Sequence, residues 1–129
     1  MQSIVEAFES KKHLLVGEGV SDEMVKKAES ELGIIFPVDY RKYLITYGVA
    51  AYNGHELTGI TKSDRTNVVA VTKASWAKNP TIPKSMYVIE ETNVEEMIIW
   101  QSETGKVFYS SPNQPLTELC DSFTQYILR

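Results

Sequence analysis

The chain of 129 residues carries a formal net charge of −4 at pH 7 and is 43% hydrophobic and 23% charged. These values are typical of one soluble globular domain, and we expect a single domain over residues 1–129 that can fold without disulfides or a metal. The only cysteine, Cys120, excludes an internal disulfide and favours a reducing cytoplasm. The acidic start does not resemble a signal peptide, and no run approaches roughly 18 apolar residues, so we expect a cytoplasmic protein that does not enter a membrane.

The charge balance argues against direct binding to nucleic acid. Lys and Arg total 13 against 17 Asp and Glu, and an acidic chain repels a phosphate backbone unless its bases cluster. The doublet Lys26-Lys27 lies among Glu23, Glu29 and Glu31, which is typical of a solvated helix face.

The first half of the chain predicts three helices. Ile4, Val5 and Phe8 share one helical face. Ser21 is a good N-cap for a second helix, and Gly33 suits its end. The apolar stripe of that helix is Met24, Val25, Ala28 and Leu32. Pro37 opens a third helix that Gly48 ends. Its apolar face has the i, i+3, i+4, i+7 spacing of Tyr40, Tyr43, Leu44 and Tyr47.

The second half is richer in strands. Residues 50–60 predict a hairpin around Asn53-Gly54. Residues 67–76 fit either a helix capped by Asn67 or a strand over 68–72, and we favour the helix because no breaker precedes Asn79-Pro80. Three short β-rich runs follow, Met86–Ile89, Met97–Trp100 and Val107–Tyr109. A closing amphipathic helix is predicted from Leu116, Leu119, Cys120, Phe123 and Ile127.

This order of elements predicts an α+β fold, an antiparallel sheet with helices packed mainly on one side. We expect six side chains to be largely buried because each lies on an apolar face of its element: Tyr43, Leu44, Leu57, Ile60, Leu119 and Phe123.

No residues combine into a recognisable catalytic or metal site. His13 and His55 are the only histidines, and His13 stands beside Lys11 and Lys12, whose charges compete with a cation. Cys120 is predicted to be a buried, inert thiol on the closing helix. We therefore expect no enzyme, no cofactor and no metal, and the chain is interpreted as a protein that works by binding.

The segment 90–96 is the most distinctive charged feature. It has no base and holds four acids, Glu90, Glu91, Glu95 and Glu96. One interpretation is a solvated hairpin turn. The other is an exposed acidic patch that faces a basic protein partner, because such patches steer association.

Three other acids, at two places in the chain, are secondary candidates for the same role. Glu56 lies in the predicted 53–56 turn, and Asp22 with Glu23 opens the second helix.

The segment from Phe36 to Ile60 resembles the SUKH superfamily, which includes a yeast regulator of cell-wall synthesis and many bacterial immunity proteins. In that pattern an aromatic or apolar residue and a proline precede a Tyr- and Leu-rich helix with a glycine stop, and a Leu-x-Gly-Ile strand follows. The matching residues are Phe36-Pro37, Tyr40, Tyr43-Leu44, Tyr47-Gly48 and Leu57–Ile60. Three features depart from it: Phe36 replaces the usual Trp, Tyr47 stands directly before Gly48 in place of the usual Asn, and the acidic segment 90–96 replaces a Gly- and Asp-rich turn.

The resemblance implies a SUKH-type fold without catalytic residues. It also implies that the partner is a cognate secreted toxin, a nuclease of the LXG class, which the protein binds and neutralises in the cytoplasm. The alternative is a regulatory or scaffolding interaction module, as in the eukaryotic branch of the superfamily. The acids of segment 90–96 are then the hypothetical toxin-binding residues, because a nuclease presents basic residues to its substrate.

Overall fold

The computed structural model describes residues 3–129. The helices of this part of the chain are α1 (Ile4–Glu9), α2 (Asp22–Leu32), α3 (Val38–Tyr47), α4 (Val68–Lys78) and α5 (Phe123–Leu128). The strands are β1 (Leu15–Val16), β2 (Ala50–Tyr52), β3 (His55–Glu56), β4 (Met86–Glu91), β5 (Ile98–Ser102), β6 (Val107–Ser110) and β7 (Thr117–Cys120).

The strands form two antiparallel sheets that meet at one point. The first sheet has the order β1-β2-β3 and the second the order β4-β5-β6-β7. A bridge between Leu57 and Glu90 joins them, and the amide of Thr58 donates to the carbonyl of Ile89 across 2.9 Å. The predicted α+β class with antiparallel strands is confirmed, although the strands form two sheets where one was expected.

Alternating side chains of β4 divide the core between the two faces of the second sheet. Tyr87 and Ile89 belong to the main apolar cluster, which also contains residues of α1, α2, α3 and α5. Met86 and Val88 face the other way and pack with Val71 of α4. Most helices therefore share one face, as expected, and α4 covers part of the opposite face.

Helix α3 is fixed to the first sheet by tyrosine hydroxyls. Tyr43 donates to the carbonyl of Thr58 across 2.7 Å and accepts from the amide of Ala50 at 3.0 Å. The hydroxyl of Tyr40 lies 2.8 Å from Oγ1 of Thr58. The helical spacing of these tyrosines thus places two buried hydroxyls where β2 and the segment after β3 need hydrogen-bond partners.

Two glycines of the motif allow a close backbone crossing after α3. Gly48 has a φ of +72°, and a Cβ there would lie 2.2 Å from the carbonyl oxygen of Glu18. A Cβ on Gly59 would lie 2.0 Å from the carbonyl oxygen of Gly48. Any side chain at either position would collide with backbone, which explains why this crossing needs glycine.

Several local predictions are confirmed. The Ser21 hydroxyl accepts from the amide of Met24, and Gly33 ends α2 in the left-handed conformation. Asn67 caps α4, accepting from the amides of Val69 and Ala70, so the helix is correct and the strand is not. The turn at Asn53-Gly54 joins β2 and β3, although β3 is shorter than predicted.

The predicted closing helix over 116–127 is wrong in its first half. Thr117–Cys120 is strand β7, paired with β6, and α5 begins only after Ser122, whose hydroxyl caps it. Leu116, Leu119, Cys120, Phe123 and Ile127 have helical spacing by coincidence, because pairing with β6 overrides local periodicity. Cys120 is therefore on a strand and half-buried, and burial raises the pKa of its thiol.

The expected core is only partly confirmed. Tyr43, Leu44, Leu57 and Phe123 are buried. Ile60 and Leu119 are half-buried and pack against the main cluster from outside. Met24, which was expected in the apolar stripe of α2, is exposed on the first turn of that helix.

Candidate functional site

Three adjoining depressions lie on the surface of the described part of the chain. The largest, here called the polar groove, has a volume of about 650 Å³. The second, the apolar groove, has about 270 Å³. The third, the junction, has about 100 Å³ and lies between them.

Shared lining residues show that the three depressions adjoin one another. The junction and the apolar groove share Glu56, Leu57 and Thr66. The junction and the polar groove share Glu91 and Asn93. The three adjoining depressions are together called the track, which extends from the edge strand β1 to the C-terminal end of α4.

The polar groove lies between α4 and the sheet face that α4 covers. Three segments line it: the last turn of α4, the turn between β4 and β5, and the segment that follows β6. Glu91 and Glu96 contribute two carboxylates to this lining, and Lys78 contributes one ammonium group.

Two serines give this groove hydrogen-bonding groups. Ser75 is 3% exposed and lines the groove. Its hydroxyl has no hydrogen-bond partner within residues 3–129. Every fully enclosed polar side-chain atom in that range has a partner. The Ser75 hydroxyl is therefore not fully enclosed and is open to the groove that Ser75 lines. Ser110 Oγ accepts from Nε1 of Trp100 at 2.9 Å, which leaves its O–H free to donate.

The turn between β4 and β5 holds acids in a strained backbone. Asn93, Glu95 and Glu96 have φ values of 59°, 51° and 58°, in the left-handed region. Asparagine tolerates this region, whereas glutamate disfavours it. The Thr92 hydroxyl donates to the carbonyl of Met97 across 2.9 Å and helps to hold the turn.

Glu90 is not part of an exposed turn, and this sequence expectation is wrong. It lies in β4 and is 2% exposed. The hydroxyl of Tyr126 donates to Oε1 of Glu90 at 2.5 Å, and Nδ1 of His55 lies 2.9 Å from its Oε2.

A β-bulge explains the orientation of Glu90. Val88 pairs with Trp100 and Glu90 with Ile99, so Ile89 is an extra residue in β4. An inserted residue reverses the alternation of side chains beyond it. Glu90 is thereby turned to the face of Tyr126, and Glu91 is turned to the face that carries the polar groove.

The other acidic candidates fall into two groups. Glu91 and Glu96 line the polar groove, and Glu56 lines the junction and the apolar groove. Glu95 is exposed in the same turn as Glu96. Asp22 and Glu23 lie in the first turn of α2, where Asp22 pairs with Lys26, and neither lines any of the three depressions.

The apolar groove contains a feature that the sequence analysis missed. Leu15 is 72% exposed and Val16 is 47% exposed, and both form the edge strand β1. The signal was present as an apolar triplet at Leu14–Val16, but two paired residues are too few for periodicity to detect a strand.

Within residues 3–129, no group of three His, Cys, Asp or Glu side chains could hold a metal ion. In the same range, no helix has the length and apolar character needed to cross a bilayer.

Comparison with known proteins places the chain in a family. The family model SUKH_5, described as SMI1-KNR4 cell-wall, matches residues 1–129. No curated protein matches the sequence. The crystal structure of a protein from Pseudomonas syringae pv. tomato has a TM-score of 0.71 at 19% identity, covering 95% of this chain and 91% of that one. The fold is thus shared with a solved structure, and the chain belongs to the SUKH_5 family of the SUKH superfamily.

Proposed function

We propose that this protein is a cytoplasmic immunity protein, which binds a cognate secreted toxin and neutralises it. The polar groove carries the proposal, because it offers a concave surface with two carboxylates and open hydroxyls beside a third acid, Glu95. Membership of the SUKH superfamily, which includes immunity proteins, supports the proposal that the partner is a protein.

The toxin is proposed to be a nuclease. A nuclease must attract a phosphate backbone, so the surface around its active site is basic. An inhibitor with a net charge of −4 and acids around a groove is complementary to that surface. Such complementarity speeds encounter and disfavours wrong partners.

The finer part of the proposal is a toxin of the LXG class. It is supported by the resemblance of the sequence to YobK, the immunity partner encoded beside a toxin of that class. The proposed interface residues are Glu91, Glu95, Glu96 and Glu56, with Asp22 and Glu23 as a separate secondary surface.

Growth rescue tests the proposed function. The catalytic domain of the toxin encoded beside this gene should arrest growth when expressed alone, and co-expression of the parent protein should restore growth. Failure of the parent protein to restore growth would contradict the immunity function.

A regulatory or scaffolding interaction module is the second candidate. The cell-wall description of the matching family favours it. The neighbouring genes separate the two candidates, because an immunity gene stands beside a toxin gene and a regulatory gene need not.

A further inference from the structure

The three depressions differ in chemistry along the track. The apolar end is flanked by the exposed side chains of Leu15 and Val16. The far end is lined by Glu91 and Glu96 and by the open hydroxyl of Ser75. A partner that filled the whole track would contact apolar side chains at one end and acids at the other.

The two ends suit different side chains of one partner. When an apolar side chain of the partner covers the exposed leucine and valine, apolar surface of both proteins is removed from water, which favours binding. Carboxylates with an open hydroxyl suit a lysine or arginine, because an ammonium or guanidinium group donates several hydrogen bonds and accepts none.

The middle of the track already holds one cation. Arg65 of this chain pairs with Glu56 at the junction, and both side chains are largely exposed. A guanidinium group is therefore accommodated where the apolar and polar grooves meet. An exposed ion pair is weak, so the cation of a partner could replace Arg65 at small cost.

We infer that the track binds one extended segment of the toxin, with an apolar side chain against Leu15 and Val16 and basic side chains facing Glu91 and Glu96. This inference rests on the proposed function and adds to it the form of the partner's contact. The segment crosses the junction between β3 and the loop that contains Arg65 and Thr66. A globular surface that touched only the acids would leave the apolar end uncovered.

The acidic and apolar ends of the track should affect different rate constants of toxin binding. Charges at the rim of an interface act mainly on association, whereas close apolar contacts act mainly on dissociation. Changing Leu15 and Val16 together to Ser should therefore speed dissociation of the toxin domain while its association rate stays the same. Both side chains are exposed, so the fold should be unaffected.

The experiment compares L15S/V16S with the control I35S/V38S, binding the toxin's catalytic domain carrying an inactivating substitution. Ile35 and Val38 are 65% and 85% exposed and line none of the depressions. L15S/V16S should dissociate about tenfold faster than the parent, and the control should match the parent within about twofold. Hydrogen exchange of the complex should show protection at both ends, in 15–17 and in 91–98.

Other results would separate a failure of this inference from a failure of the proposed function. If the parent binds the toxin domain but L15S/V16S dissociates at the parental rate, the extended-segment inference is wrong and the proposed function stands. Protection confined to 91–98 has the same meaning. If the parent does not bind the toxin domain at all, both proposals fail. Protection of 15–17 in the free protein that grows with its concentration would assign the apolar groove to a second copy, which also overturns the inference.

Discussion

Tyr126 of α5 and Glu90 of β4 are joined by a hydrogen bond of 2.5 Å, which connects the end of the chain to the point where the two sheets meet. Burial and the negative charge of Glu90 raise the pKa of the Tyr126 phenol, which keeps it protonated and able to donate. Glu90 thus connects the two sheets at the Leu57 bridge and contacts both His55 of the β2–β3 hairpin and Tyr126 of α5.

The change Tyr126→Phe should destabilise the fold. It removes a donor from a buried carboxylate, which costs about 1–3 kcal/mol. Urea denaturation should show a lower midpoint with an unchanged slope. Tyr109→Phe is the control, because Tyr109 is half-buried and its hydroxyl has no hydrogen bond within residues 3–129. Equal stability of both variants would show that the contact with Glu90 contributes nothing.

The strained turn predicts a conflict between stability and binding. Glu95→Gly and Glu96→Gly should each stabilise the protein by about 1 kcal/mol, because glycine adopts positive φ freely. The same changes should weaken toxin binding. Glu91→Gly is the control, because it lies in β4 and should destabilise by roughly 0.5–1 kcal/mol. Thermal melting measures the stabilisation by the first two changes and the destabilisation by Glu91→Gly. Lower stability of the Glu95 and Glu96 variants would refute the strain argument.

The core predicts graded losses of stability. Leu44→Ala and Phe123→Ala should each cost about 2–5 kcal/mol, because both side chains are fully buried. Leu119→Ala should cost less, because Leu119 is half-buried on β7. Chemical denaturation of the three variants checks the order. A loss for Leu119 as large as for Leu44 would contradict the packing of β7.

The buried tyrosines predict unfolding in alkali. Burial raises the pKa of Tyr40, Tyr43 and Tyr87 above the ordinary value of 10.0, and burial with the charge of Glu90 raises the pKa of Tyr52 to about 12. Above pH 10 these phenols stay protonated in the folded state while they ionise in the unfolded chain. Ionisation therefore favours unfolding.

The free energy of unfolding should fall as pH rises above about 10, by up to about 1.4 kcal/mol per pH unit for each fully buried tyrosine. Urea denaturation from neutral to alkaline pH measures the slope, with tyrosinate absorbance recorded in parallel. A stability that stays flat above this pH would contradict the burial of these side chains.

Parts of the fold could be predicted because their signals are local. Tyr40, Tyr43 and Leu44 lie on one face of α3, and a helix with this spacing has a single way to bury them. Caps such as Ser21 and Asn67 act within three residues of themselves, so the sequence alone locates them.

Other parts depend on distant pairing. Residues 117–120 become a strand because β6 offers a free edge, and nothing in their own spacing indicates this. Glu90 is buried because of the bulge at Ile89, which reverses the faces of the two residues that follow. The acidic segment therefore contributes Glu91, Glu95 and Glu96 to the exposed surface, and Glu90 to the interior.

The acids of the polar groove and its turn are proposed to steer a basic toxin towards this surface. The direct test is the association rate of the inactivated toxin domain with E91K/E95K/E96K, measured at low and high salt. Glu90 is left unchanged because it is buried. The control is E9K/E18K/E31K, three exposed acids that line none of the depressions and whose reversal changes the net charge equally.

At low salt the E91K/E95K/E96K variant should associate about tenfold more slowly than the control, and its rate should depend little on salt. The parent rate should fall steeply as salt rises. If the variant and the control associate at the same rate at both salt concentrations, the acids are only a solvated turn and the toxin binds elsewhere.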